Sequence, residues 1–286
     1  MHALHDGKFK SLEEIAVQIR EDILKMLIKA GSGHSAGSLG LADIFTAFYF
    51  HILNHNPKKP NWKNRDRLIL SNGHVCPARY AAMAHAGYFP KSELLTLRKL
   101  GSRLQGHPEL QCLPGVESTS GPLGEGSSQA AGLAYAAKMD EAKWRVYCLM
   151  SDGELQEGQT WEALMFAAKY KLTNCTFIID RNNIQIEGHT ETVMPLEPLV
   201  EKFKAFGLHV EECAGNDIRD FVNAIERAKE ISEKPTVIVA HTIPGKGIDF
   251  MENKFEWHGK IPVGAEGRKA LAEIRTLQGK IKSEHE

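Results

Sequence analysis

The chain has 286 residues, 42% hydrophobic and 25% charged, with a formal net charge of −1. That balance describes a globular protein with room for one large α/β domain, and it leaves no electrostatic footprint for nucleic acid or an anionic membrane. No run approaches the roughly 18 apolar residues that cross a bilayer, and the start, His2-Ala3-Leu4-His5-Asp6, lacks the apolar stretch of a signal peptide.

Ser11-Leu12-Glu13-Glu14 has the form of a capping box, and Leu12, Ile15, Ile19, Ile23 and Leu27 follow as one apolar stripe. This predicts an amphipathic helix that Gly31 closes. A second apolar helix is expected over 41–53, then a loop through Pro57 and Pro60. Leu68-Ile69-Leu70 reads as a short buried strand ending in Ser71-Asn72-Gly73-His74. Helices are expected at 76–86 and 91–100. Residues 101–126 are rich in Gly and Pro, and a loop this long inside a domain usually serves function.

A regular alternation follows: a helix at 127–138, a strand Val146–Met150, a helix at 159–169 and a strand Cys175–Ile179. A helix at 197–206, a strand at 208–212, a helix at 217–231 and a strand Thr236–Ala240 complete it. Continuous apolar strands separated by helices predict an α/β fold with a parallel sheet sandwiched by helices. The last twenty residues are expected to form a charged helical tail that frays. The whole chain, 1–286, is read as a single domain. The five cysteines, odd in number and without a C-x-x-C pair, read as reduced thiols of a cytoplasmic protein.

Two turns stand out. Ser151-Asp152-Gly153-Glu154 directly follows one apolar strand, and Asp180-Arg181-Asn182-Asn183 ends the next. Ligands of open α/β sheets sit beyond the carboxyl ends of the strands. If the two strands are neighbours, Asp152 and Asn182 emerge side by side. A carboxylate and an amide oxygen there suit a hard divalent cation, which usually holds a phosphorylated ligand. Gly153 allows tight backbone approach to a phosphate, and the helix beginning after Gly158 adds a positive dipole end. Taken singly, Asp152-Gly153 reads rather as a plain turn and Asn182-Asn183 as an Asx-turn. Their combination favours a cation–diphosphate site.

Thirteen histidines are present, and His34, His74, His107, His189 and His258 each adjoin a glycine in an expected loop. Such imidazoles gathered round a polar substrate serve as hydrogen-bond partners and proton shuttles. No H-x-x-x-H spacing occurs, which argues against a histidine zinc site. Gly121-Pro122-Leu123-Gly124-Glu125-Gly126 leads into a helix and suits close approach to a cofactor. Neither a dinucleotide fingerprint nor a Walker-type loop is found.

These motifs, in order, resemble the N-terminal, diphosphate-binding half of transketolase. Ser32-Gly33-His34 with Gly40 and Ala42-Asp43 is similar to its first histidine motif. Asn54-His55-Asn56-Pro57, Trp62, Arg65-Asp66-Arg67 and Leu70-Ser71-Asn72-Gly73-His74 resemble the second. Gly106-His107-Pro108-Glu109, Gly121-Pro122-Leu123-Gly124, the Asp152…Asn182 pair and Glu256-Trp257-His258-Gly259 continue the likeness.

The resemblance implies the thiamine diphosphate-binding fold, with thiamine diphosphate and Mg²⁺ (or Ca²⁺) as cofactors. Asp152, Asn182 and the carbonyl of Ile184 are the implied metal ligands. Gly121, Gly153 and Glu154 are expected at the cofactor, with Leu123 and Ile186 packed on its rings. His34, His74 and His258 are expected to line the channel, with His34 and His258 moving protons. His107 is expected to bond the donor sugar, and Glu157 to sit at a subunit interface, coupled to an acid of the partner. Two departures are visible: Ser151 stands where the motif usually has Gly, and Ser35-Ala36-Gly37-Ser38 replaces a Pro/Gly-richer stretch, which bears on substrate preference.

A full transketolase is more than twice this length and carries a pyrimidine-binding domain. The chain is therefore expected to be the N-terminal subunit of a split transketolase. Its expected partner is a C-terminal subunit, in a heterotetramer with two copies of each. The implied reaction moves a two-carbon ketol unit from a ketose phosphate to an aldose phosphate. Alternatives are a regulatory subunit that only holds cofactor, or another thiamine enzyme such as a deoxyxylulose phosphate synthase or a 2-oxo acid dehydrogenase component. The Asn54–Pro57 and Gly106–Pro108 motifs favour transketolase over those enzymes.

Overall fold

The computed structural model describes residues 6–284, with side chains described for 7–277. The segment His2–His5, expected to carry no leader, lies outside the described residues. Helix α1 (Asp6–Ala30) runs on to Gly31, whose left-handed φ of 76° and N–H to Leu27 O (3.0 Å) end it as expected. Its start differs from expectation. The helix is already under way at Asp6, so Ser11 lies inside it and caps nothing.

A short helix, α2 (Ala36–Gly40), comes first. The run at 41–53 is then helical as expected, α3 (Ala42–Ala47) passing without a break into a π-helical turn, Phe48–Ile52. A Cβ on Gly40 would lie 2.9 Å from Ile243 O, so close backbone contact sets this corner. Helix α4 (Cys76–His85) forms as expected, whereas 91–100 yields only a 3₁₀ turn over Lys91–Thr96. Helices α5 (Glu125–Met139), α6 (Gly158–Lys169), α7 (Thr190–Val193), α8 (Leu199–Ala205), α9 (Ile218–Glu230) and α10 (Gly264–Glu284) follow. The tail does more than fray: Ala270 and Ile274 of α10 are buried.

The central sheet contains β1 (Arg67–Leu70), β2 (Val146–Ser151) and β3 (Cys175–Arg181). After a small antiparallel pair, β4 (Ile184–Gln185) and β5 (Gly188–His189), come β6 (His209–Ala214) and β7 (Thr236–His241). The spatial order is β1-β2-β3-β7-β6, parallel throughout. Side chains alternate between two cores. Leu68, Leu70, Tyr147, Leu149, Ile178 and Ile238 join the core that contains α1, α3, α4 and α9. Ile69, Cys148, Met150, Phe177, Ile179 and Val237 join the core that contains residues of α5, α6 and α8. Burial on both faces is why these strands read as unbroken apolar runs.

The long loop 101–126 is tied down rather than free. Arg65 pairs with Glu117, Arg79 Nη2 donates to Gly115 O (3.1 Å), and Cys76 Sγ donates to Gly106 O (3.2 Å). His55 is also structural: its ring nitrogens lie 2.9 Å from the Tyr88 hydroxyl and 2.8 Å from Tyr49 O. All five cysteines are free thiols. Among the described residues no helix is long and apolar enough to cross a membrane.

Candidate active site

Strands β2 and β3 pair in register with Ser151 opposite Asp180, so their carboxyl ends finish together. The two turns then meet. Asp152, at 0% exposure, accepts from the Asn183 backbone N–H through Oδ2 (2.8 Å) and from Gly153 N–H through Oδ1 (2.8 Å). Asn182 is buried. Its amide is oriented by Nδ2–H donation to Asp180 Oδ2 (2.8 Å), and its Oδ1 accepts from Ile184 N–H (3.0 Å).

Asp180 in turn accepts from the Thr242 hydroxyl beyond β7. Burial, with the neighbouring Asp152, pushes the Asp180 carboxyl up to about 7, against the lowering effect of its hydrogen bonds. Burial also raises the Asp152 carboxyl, opposed by Arg181 and the two backbone donors. Among the described residues no cluster of three His, Cys, Asp or Glu side chains could hold a metal. Any cation here therefore draws on amide and backbone oxygens as well, a hard donor set that fits Mg²⁺ or Ca²⁺.

These turns open into a cleft of about 470 Å³. His34, His74, His107, Gly121, Leu123, Gly153, Glu157, Asn182, Ile184, Ile186 and His258 all lie on its wall. The fold thus gathers positions that are dispersed along the chain. His189 does not join them; its ring meets Phe255 instead, 5.9 Å between centroids. Asp152 lies just behind the wall. Glu154 is fully buried and does not reach the cleft: it accepts from the Ser71 hydroxyl, from Gly124 N–H (2.6 Å) and from Ser151 N–H (3.2 Å), holding the glycine loop against β2.

Three imidazoles converge. Ring centroids of His34 and His74 are 5.0 Å apart, His74 and His258 5.0 Å, and His34 and His258 5.4 Å. Burial lowers all three, and for His34 and His74 the neighbouring histidines lower them further, with His34 held at about 4. Burial and Arg98 lower His107 as well. At neutral pH the cluster is uncharged and each ring offers one donor and one acceptor. His34 Nδ1 is buried without a hydrogen-bond partner, a polar atom turned to an occupant the chain does not supply. Opposite, Leu123 and Ile186 stand 37% and 68% exposed, two apolar side chains flanking a polar cleft. A diphosphate-bearing heterocycle fits this distribution of oxygens, imidazoles and apolar flanks.

No motif marks Glu191 and Glu197, which bond Arg181, or Thr242, which anchors Asp180, and Arg181 stood in the second turn motif without a role of its own. The one signal in the sequence was a charged pair, Asp180-Arg181, closing the apolar run Cys175–Ile179.

The sequence matches the family described as transketolase, thiamine diphosphate binding domain, over residues 12–280. It is 41% identical over 263 residues to the 6-deoxy-6-sulfo-D-fructose transketolase subunit SqwG of Clostridium sp. (strain MSTE9), covering 92% of this chain and 96% of that one. It is 41% identical over 268 residues to an apulose-4-phosphate transketolase subunit of Actinobacillus succinogenes, covering 93% and 97%. The crystal structure of transketolase from Campylobacter jejuni superposes with a TM-score of 0.86 at 37% identity; the match covers 94% of this chain and 42% of that longer one. With its parallel sheet, its paired turns and its histidine-lined cleft, the chain belongs to the transketolase family, as a thiamine diphosphate-binding domain.

Proposed function

We propose that this chain is the cofactor-holding subunit of a two-chain transketolase, which transfers a two-carbon ketol unit from a ketose phosphate to an aldose phosphate. The observation that carries this reading is the set of neutral imidazoles, His34, His74 and His258, packed within 5.4 Å of one another beside the paired turns. The chain is read as one diphosphate-binding domain, 1–286, with N-terminal helices and a C-terminal helical tail.

Thiamine diphosphate, when bound, supplies a nucleophilic carbon able to cleave the bond beside a ketose carbonyl. The chain's residues hold and orient. Asp152 and Asn182 side chains and the Ile184 carbonyl hold Mg²⁺ or Ca²⁺. Gly153 and Gly121 let backbone approach the diphosphate, and Glu154 acts through Gly124 by fixing the loop. Leu123 and Ile186 flank the rings. His74 and His258 bond the diphosphate. His34 and His258 take up and return the proton at the hydroxyl on C3 of the sugar, and His107 bonds its first hydroxyl. Burial keeps these imidazoles neutral, and arrival of an anionic diphosphate or sugar phosphate raises their basicity toward neutral pH.

A partner subunit carrying a pyrimidine-binding domain completes the site. Supporting this, Leu123 and Ile186 on the cleft wall are exposed apolar side chains, as are Val193 and Met194 in the segment that follows β5. Glu157 is exposed on the cleft wall, and in this reading it couples to an acid of the partner. A heterotetramer of two copies of each chain, a cytoplasmic location and pentose phosphate substrates belong to this reading. The test is to assay ketol transfer by this chain, by its partner and by the mixture, with thiamine diphosphate and Mg²⁺. Activity is expected only in the mixture, and full activity from this chain alone would refute the shared site.

A further inference from the structure

Arg181 ends β3 at 3% exposure, where an unpaired guanidinium would cost several kcal/mol. Three carboxylates meet it. Nη1 donates to Asp152 Oδ2 at 3.0 Å, and Nη2 donates to Glu191 Oε1 at 2.7 Å and to Glu197 Oε1 at 2.8 Å. Those glutamates are themselves placed by backbone. Glu191 accepts from Leu196 N–H at 3.2 Å, and Glu197 Oε2 from Leu199 N–H at 2.7 Å.

The effect on Asp152 is one-sided. Its Oδ2 receives Arg181, the Asn183 N–H at 2.8 Å and the Thr190 hydroxyl at 3.4 Å. Among the described residues its Oδ1 receives only the Gly153 N–H. A carboxylate oxygen accepts about two hydrogen bonds, so Oδ2 is saturated and Oδ1 keeps an open lone pair. Arg181 also cannot repel a cation strongly, since three carboxylates surround its single charge.

We propose that Arg181 is a positioning residue for the cation site: its fork locks Asp152 so that Oδ1 alone is offered to a divalent ion, and it ties that ligand to the 190–199 segment. This rests on the assignment of Asp152 as a cation ligand in the proposed function. A lysine replaces it only in part, because one ammonium keeps the charge but lacks the planar fork that spans opposed carboxylates.

The test is calorimetric titration of the full chain with Mg²⁺ at saturating thiamine diphosphate, comparing wild type, R181Q and R181K. Groups that orient metal ligands typically change metal affinity about 10- to 100-fold. Half-saturation by Mg²⁺ is expected to rise by about that factor in R181Q and by less in R181K. A purely structural role would lower the melting temperature of the metal-free variant and leave Mg²⁺ half-saturation within threefold of wild type, which overturns the proposal. Tighter Mg²⁺ binding by R181Q overturns it too, because the guanidinium would then be repelling the ion. If R181Q does not fold, E197Q removes one anchor of the fork and is expected to weaken Mg²⁺ binding severalfold; an unchanged value there refutes the proposal. A wild-type chain whose thiamine diphosphate binding ignores Mg²⁺ sinks the cation assignment itself, a result distinct from equal affinities in wild type and variants.

Discussion

The imidazole of His34 lies 5.0 Å from that of His74, and both rings come from loops that end different elements. Two basic groups this close cannot both carry a proton cheaply, and burial adds to the penalty. With His34 held at about 4 and an unfolded imidazole near 6.5, the folded chain binds fewer protons than the unfolded chain between those values. Its contribution to stability is therefore complete above pH 6.5 and is lost as pH falls toward 4. We expect wild type to lose more thermal stability than H34Q between pH 7 and pH 4.5, and an NMR titration to place the His34 midpoint well below that of an exposed histidine. Parallel stability curves for the two proteins would contradict this.

His107 is exposed on the cleft wall and makes no side-chain hydrogen bond among the described residues. It can be removed without disturbing packing. In the reconstituted enzyme His107→Ala should lower kcat by about 10²–10⁴, the usual contribution of a positioned acid–base or hydrogen-bonding group. Its melting temperature should stay at the wild-type value. Unchanged turnover would favour a subunit that merely holds cofactor.

Glu154 gives three acceptor contacts inside the protein and none to the cleft. Glu154→Gln turns an NH₂ group toward a donor, so a loss of about 1–3 kcal/mol in unfolding free energy is expected from denaturant titration. Thiamine diphosphate affinity should fall as well, since the glycine loop at 121–124 loses its anchor. A stable variant with normal affinity would show that the anchor is dispensable.

Asp43 accepts from Arg20 Nη1 at 3.1 Å and from Asn216 Nδ2 at 2.7 Å, joining α1, α3 and the turn after β6. Arg20 also donates to Leu39 O at 3.2 Å. Replacing Asp43 by Ala strands a buried guanidinium, and a cost of about 3–5 kcal/mol is expected. Urea denaturation of the variant measures it. A shift below about 1 kcal/mol would mean that water reaches Arg20.

A Cβ added at Gly126 would lie 2.6 Å from Ser71 Cα. Helix α5 can approach β1 this closely only because position 126 is bare. Gly126→Ala should cost about 1–3 kcal/mol through overpacking. Circular dichroism melts would detect it, and no change in the midpoint would mean that the helix can slide.

Much of the architecture was legible because each sheet face is covered. Val146–Met150 and Cys175–Ile179 are apolar almost throughout, and their spacing from the helices implied a parallel sheet. The run at 41–53 read correctly as helical because its apolar residues are mostly buried; that its last turn, Phe48–Ile52, is π-helical is a matter of packing that composition does not encode. The stretch at 91–100 has helical composition but forms only a 3₁₀ turn over Lys91–Thr96, and Leu97 at ψ 129° and Arg98 at φ 59° then leave the helical region. At the site, the glycine-flanked histidines pointed to the cleft, yet adjacency to glycine did not separate His189 from the other four. Glu154 looked like part of a ligand motif, although its environment is entirely protein.

The order of residues alone determined the alternation of helix and strand, the turn chemistry after β2 and β3, and the inventory of oxygen and imidazole groups, since these depend on local pattern and side-chain type. Tertiary structure decided which of those groups face one another: that Arg181 saturates one oxygen of Asp152, that Glu154 is turned inward, and that imidazoles from positions 34, 74 and 258 share one space. Such pairings depend on the parallel register of distant strands and on the packing of loops against them, distances that no local run of side chains encodes.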